Sequence, residues 1–149
     1  EVDGNWFMTR TNGDFTTFPE NSFRNNTQLT SITLPNSVTS IGKFVFNKCR
    51  NLATVYLGSG INFIDGSSFS DCDNLTNVYC TSSSTSFNHN EYNMIDYIFV
   101  GIPATATLHL PSVIETAAYN AWKEAWWFNG FNEEEWQTYT VQRPIVKDL

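Results

Sequence analysis

Apolar residues along this chain recur at a fixed interval of 23 positions. Phe23, Phe46 and Phe69 stand 23 apart, as do Leu29, Leu52 and Leu75, then Ile32, Val55 and Val78, and finally Phe18, Ile41, Ile64 and Phe87. A unit this short cannot bury its own apolar face, so the pattern predicts a solenoid in which neighbouring copies stack into one continuous core. Within each short strand the central Ile or Val and the Leu two residues later point inward. The flanking residues must then point out, because alternate strand residues face opposite sides. Two exposed rows follow: Ser31, Thr54, Asn77 and Thr107 in one, Thr33, Tyr56, Tyr79 and His109 in the other.

The period gives way near residue 112. Ser112 followed by Glu115 fits a capping box, and Ile114, Ala117, Ala118, Ala121, Trp122 and Ala125 then recur at helical spacing as one apolar face. Asn129-Gly130 should end this helix, since both residues tolerate the left-handed conformation. The helix is expected to lid the open end of the solenoid and cover its strand edge. At the other end, Asn12-Gly13 between NWFMTRT and DFTTF reads as the turn of a covering hairpin.

In register, two full copies read LTSITLPNSVTSIGKFVFNKCRN from Leu29 and LATVYLGSGINFIDGSSFSDCDN from Leu52. This order of Leu, β-branched residues, Phe and Cys resembles the BspA-like leucine-rich repeats, the 23-residue class found in surface proteins of Bacteroidetes, treponemes and some parasitic protists. CTSSSTSF, YIFVGIP, ATLHLP and SVIETAAYNAWKEAWW look like the terminal unit of Bacteroidetes members. The resemblance implies a leucine-rich-repeat solenoid, a right-handed, β-rich superhelix of stacked 23-residue coils with a parallel sheet. One domain spans residues 1–149: an N-terminal hairpin cap over 1–14, repeats over 15–111, and a C-terminal cap helix and tail over 112–149. Leu108 and Leu110 take the places of Val78 and Cys80 but 30 residues on, so the last coil carries a seven-residue excess. Residues 82–96, rich in Ser and Asn, are the expected mobile loop.

Composition narrows the partners. A formal charge of −7 with no basic stripe argues against capture of nucleic acid or of an anionic membrane surface. No apolar run approaches the ~20 residues needed to cross a bilayer, so these residues insert into no membrane directly. No secretion signal opens the chain either; it is unexported, or its targeting segment lies outside these residues. Of the three cysteines, Cys49 and Cys72 are one repeat apart and Cys80 falls where Leu34 and Leu57 fall. Buried, reduced thiols are favoured over a bridge, because free cysteine packs as a small apolar residue.

No catalytic constellation emerges, and no cofactor or metal is implied. His89 and His109 lack a nucleophile in a matched motif, and Asp71 and Asp73, even with Asp65, lack the order of a calcium loop. Glu133, Glu134 and Glu135 read as a solvated charge run. Asn25 and Asn74 head N-glycosylation acceptor patterns, meaningful only in a eukaryotic source. Trp122, Trp126, Trp127, Phe128, Phe131 and Trp136 could form a carbohydrate platform, although cap packing explains them better, with Trp126 or Trp127 the exposed exception and a secondary candidate site. Phe44 and Phe63 replace polar residues of other copies and are expected on the convex side, where they could mark a contact with a neighbouring domain.

The second exposed row places aromatic rings on adjacent strands of a concave sheet, a surface that solenoids use for binding. The plain alternative is that Tyr and Thr suit a half-exposed pleated surface. The resemblance implies a non-enzymatic module at the cell surface or secreted, adhering to a host extracellular or surface protein or to a neighbouring cell. A carbohydrate-binding accessory module of a glycan-uptake system and a structural spacer domain are the alternatives.

Overall fold

A computed structural model of the chain describes residues 5–7, 16–89, 97–127 and 144–149, with the backbone alone described for 5–7 and Trp127. Strands β1 (Asn5–Phe7), β3 (Ser31–Thr33), β5 (Thr54–Leu57), β7 (Asn77–Cys80), β9 (Thr107–His109) and β10 (Ile145–Val146) form a six-stranded parallel sheet in that order. Shorter strands β2 (Thr17–Phe18), β4 (Ser40–Ile41), β6 (Phe63–Ile64) and β8 (Ser86–Phe87) form a second, four-stranded parallel sheet. A helix, α1 (Thr116–Trp127), follows β9. The pairings keep the 23-residue register: Ile32 opposite Val55 opposite Val78, and Ile41 opposite Ile64 opposite Phe87.

The predicted rows meet in one core. Leu29, Leu52 and Leu75, Ile32, Val55, Val78 and Leu108, and Phe18, Ile41, Ile64 and Phe87 are all buried. Through them runs a spine of nearly parallel rings. Phe23 stacks on Phe46 at 5.5 Å, Phe46 on Phe69 at 5.1 Å, and Phe69 on Phe99 at 5.3 Å between centroids. Trp126 closes the spine by meeting Phe99 edge-on at 4.9 Å, and Trp122 meets Phe87 the same way.

A third set of bonds ties the coils together along their turns. Each coil carries two left-handed residues four positions apart: Asn21 and Asn25, Phe44 and Lys48, Ser67 and Asp71, Tyr97 and Gly101. For a bulky residue this conformation costs about 1 to 2 kcal/mol. The turn offsets that cost by aiming amides along the stack: Asn21, Phe23 and Asn25 donate to the carbonyls of Lys43, Val45 and Asn47, and Phe44, Phe46 and Lys48 to those of Gly66, Ser68 and Ser70. Side chains follow the same ladder. Arg24 Nε donates to Asn47 Oδ1 at 3.0 Å, and the buried Asn47 amide donates to Ser70 Oγ at 2.6 Å.

Several expectations are corrected. Of the loop expected over 82–96, residues 82–89 are built into the fold: β8 completes the second sheet, Ser82 and Thr85 are buried, and the Thr85 hydroxyl donates to the Ile61 carbonyl, while residues 90–96 lie outside the described residues. The register holds through Asn88, whose amide donates to Ile64, so the seven-residue excess falls before Tyr97. β1 and β2 belong to different sheets and cannot pair as a hairpin; Asn12-Gly13 itself lies outside the described residues, as do Asn129-Gly130, Phe131, Glu133 to Glu135 and Trp136. The capping box does not form. The Ser112 and Glu115 amides donate to Leu149 and Ser83, and the helix begins one residue after Glu115. Its buried face is Ala118, Trp122, Ala125 and Trp126, with Ala117 exposed. The tail adds β10 to the edge of β9.

Cys49, Cys72 and Cys80 are free and buried. Cys49 Sγ donates to the Phe23 carbonyl and Cys72 Sγ to the Phe46 carbonyl, each at 3.1 Å. Burial pushes the Cys49 thiol up to about 11, against the Asn26 backbone hydrogen bond that lowers it, and raises Cys72 and Cys80 for the same leading cause.

Two outcomes test this architecture. Leu52→Ala should cost about 2 to 5 kcal/mol, read as a lowered denaturant midpoint, because the neighbouring coils are pinned by three ladders and cannot collapse into the void. The fold favours the neutral Cys49 thiol, so its contribution is complete below the ordinary thiol value near pH 9 and is lost as pH rises through about 11. Denaturation at about pH 8 and about pH 11 should show a loss that Cys49→Ala reduces by about 2 kcal/mol.

Candidate functional site: the open face of the first sheet

Strand alternation builds the face directly. Ile32, Val55, Val78 and Leu108 are turned inward and buried, so the residues on either side of each are turned outward. Pairing then lines up Ser31, Thr54, Asn77 and Thr107 in one row, and Thr33, Tyr56, Tyr79 and His109 in the next. Tyr56 is 43% exposed; the other seven are half-buried. None of the eight carries a carboxylate, ammonium or guanidinium, so the face is free of such charge in a chain of net charge −7.

The structure brings three of these residues into a stack. Tyr56 lies on Tyr79 with 4.8 Å between centroids and 10° between planes, and Tyr79 lies on His109 at 4.1 Å and 9°. His109 Nε2 is 3.0 Å from Asn77 Oδ1, a hydrogen bond that joins the two rows. The sandwich has a chemical consequence. Both faces of Tyr79 are occupied by neighbouring rings, so it offers a ligand its edge and its hydroxyl. Ring edges carry the positive end of the aromatic quadrupole and favour oxygen acceptors or the face of another ring.

The secondary candidates separate from this face. Trp126 is fully buried, because it stands four residues after Trp122 on the same side of α1 and closes the phenylalanine spine. The Trp127 side chain lies outside the described residues. Phe63 sits half-buried in the second sheet between Ser40 and Ser86, and Phe44 on the turn ridge, with the Arg24 guanidinium 4.7 Å and the Lys43 ammonium 5.3 Å from its ring centre. Asp73 pairs with Arg50 at 2.5 Å. His89 is exposed, and no group of three or more His, Cys, Asp or Glu among the described residues is arranged to hold a metal ion. Two positions of the aromatic row escaped the sequence pattern: β1 sets Phe7 opposite Thr33 at one end, and at the other β10 sets Val146 opposite His109. The two-residue strand β10 carries too little signal, the β-branched pair after Pro144 being the whole of it.

Comparison with known proteins agrees with this architecture. Residues 10–123 match the family described as a BspA type leucine-rich repeat region, with six copies. A search of the curated proteins finds no match. Among solved structures, a leucine-rich repeat protein from Bacteroides capillosus is similar with a TM-score of 0.55 at 23% identity, over 74% of this chain and 78% of that one. The pneumococcal vaccine antigen PcpA is similar with a TM-score of 0.56 at 13% identity, over 99% of this chain but 42% of that protein. Both are likenesses of fold. With the 23-residue register realised as a parallel solenoid, and the match spanning most of its length, this chain belongs to the BspA-type leucine-rich repeat family.

Proposed function

We propose that this chain is a non-enzymatic binding module, displayed at a cell surface or secreted, that grips a protein of a host or neighbouring cell through the open face of its first sheet. The family suggests a protein-binding repeat module of a generally non-enzymatic and typically surface or secreted kind. No helix among the described residues is long and apolar enough to cross a membrane. The observation that carries the choice of face is the Tyr56–Tyr79–His109 stack, set on a surface without carboxylates or ammonium groups. Tyrosine is enriched among the residues that dominate binding energy, and rings held by their neighbours lose little freedom on binding.

The stack favours a protein over a glycan. Sugars stack on ring faces, and here both faces of Tyr79 are covered and Trp126 is buried, which leaves the outer face of Tyr56 as the accessible ring face among the described residues of the row. A pure spacer needs no such row, although cross-strand aromatic pairs do steady a sheet by roughly 0.2 to 1 kcal/mol each.

A screen of host matrix and surface proteins beside a glycan array, with the chain and its Tyr56→Ala/Tyr79→Ala variant, separates these readings. A captured protein should bind the variant at least ~30-fold more weakly, about 2 kcal/mol. The variant itself should stay folded, losing no more than about 2 kcal/mol, since neither ring belongs to the core. Unchanged affinity would remove the site from this face, and binding confined to glycans would favour the carbohydrate module.

A further inference from the structure

By strand register the aromatic row runs from Phe7 through Thr33, Tyr56, Tyr79 and His109 to Val146, and Thr33 interrupts it. Beyond His109 the next strand sets Val146 against the stack. Before Tyr56 the next strand sets Thr33, whose side chain is too short to reach across a ring. Among the described residues no ring or cation lies on the outer face of Tyr56, which is also the most exposed large apolar side chain of the sheet at 43%. The stack therefore lacks one rung, at the height of a ring and above a threonine.

Three hydroxyls border the vacant rung. Thr33 lies beneath it, Ser31 stands two residues away on the same face, and Thr54 is opposite Ser31 on the strand of Tyr56. They supply acceptors around a flat slot one wall of which is the electron-rich face of a tyrosine. The chain as a whole is anionic, with 15 acidic against 8 basic residues. A flat group that donates hydrogen bonds at its rim, carries positive charge and is weakly hydrated matches all of these features. The arginine guanidinium is that group. It stacks on aromatic faces and donates five N–H bonds in its own plane, whereas the lysine ammonium is a strongly hydrated point charge.

We propose that the outer face of Tyr56, over Thr33 and beside Ser31 and Thr54, is an arginine-binding slot that receives an exposed arginine of the protein partner and extends the stack by one rung. This rests on the protein-binding role proposed for the same face and names the side chain that enters it. The long-range attraction of the chain for a cationic segment steers the approach, and the slot selects arginine from lysine.

The test uses the full chain, isotope-labelled for NMR, titrated with N-acetyl-arginine amide, N-acetyl-lysine amide and N-acetyl-tryptophan amide. Arginine amide should produce saturable shifts centred on Thr33, Thr54 and Tyr56, with at least roughly fivefold higher affinity than lysine amide. Thr33→Tyr, which fills the rung with the chain's own ring, should abolish those shifts, as should Tyr56→Leu, which removes the wall. Scattered shifts, equal response to arginine and lysine, saturation by tryptophan in preference to arginine, or full binding to Thr33→Tyr would each overturn the slot. A captured partner separates the two levels. If Tyr56→Ala/Tyr79→Ala loses the partner while Thr33→Tyr keeps it, the slot is wrong and the face is right; if both variants keep it, both fall.

Discussion

Each coil of this protein has to be completed by the next one. A 23-residue turn encloses too little apolar surface to hold itself, and its backbone groups face along the axis rather than within the turn. The first sheet, the second sheet and the turn ridge each supply amide-to-carbonyl bonds from one coil to its neighbour, so every coil is held on three sides. Net contributions of about 0.5 to 1.5 kcal/mol per bond are modest singly. Their effect is to allow one relative placement of two coils, and that placement superposes Leu on Leu, β-branched residue on β-branched residue and Phe on Phe.

The turn ridge explains the strain in the backbone. Phe44, Lys48 and Tyr97 hold a conformation that glycine or asparagine would hold at less cost, and Asn21, Asn25 and Gly101 show the cheaper choices at equivalent places. Left-handed residues bend the chain sharply enough to point successive amides at the adjacent coil. A conformation unfavourable within one coil is thus paired with hydrogen bonds that exist only between coils. At the C-terminal end, where no further coil is described, Trp122 and Trp126 take over the covering of Phe87 and Phe99, and β10 takes over the pairing with β9.

Features that repeat were legible in the sequence; features that occur once were not. The four inward rows could be named because each recurs at fixed spacing, and the two outward rows followed from alternation alone. The second sheet could not be foreseen, since its strands are two residues long and its inward residue was visible only as one more row. Ser and Asn over residues 82–89 suggested a loop because composition was weighed there above Phe87, which belongs to a core row. The Ser112–Glu115 motif had the right residues, but the amides it needs are taken by Ser83 and Leu149, contacts no local pattern encodes. Burial of Trp126 was readable from its spacing to Trp122, four residues and one helical turn; the rule that adjacent residues seldom both face inward cannot say which of two tryptophans does.

At the site, alternation identified the residues but not their mutual geometry, and the geometry decides the chemistry. The register that stacks four phenylalanines inside the solenoid also stacks Tyr56, Tyr79 and His109 outside it, because equivalent positions on successive strands lie one strand spacing apart on either face. Inside, covering ring faces is the whole purpose, and the stack is closed by tryptophan. Outside, the same covering removes Tyr79 as a platform and concentrates accessible ring face at the first tyrosine of the row. The three stacked rings thus behave as one preorganised surface with a polar edge and an accessible ring face at Tyr56. Its rigidity comes from the core beneath it, since Val55, Val78 and Leu108, which fix those strands, are the buried neighbours of the same three residues. Loosening the core would therefore disorder the face without touching any residue on it.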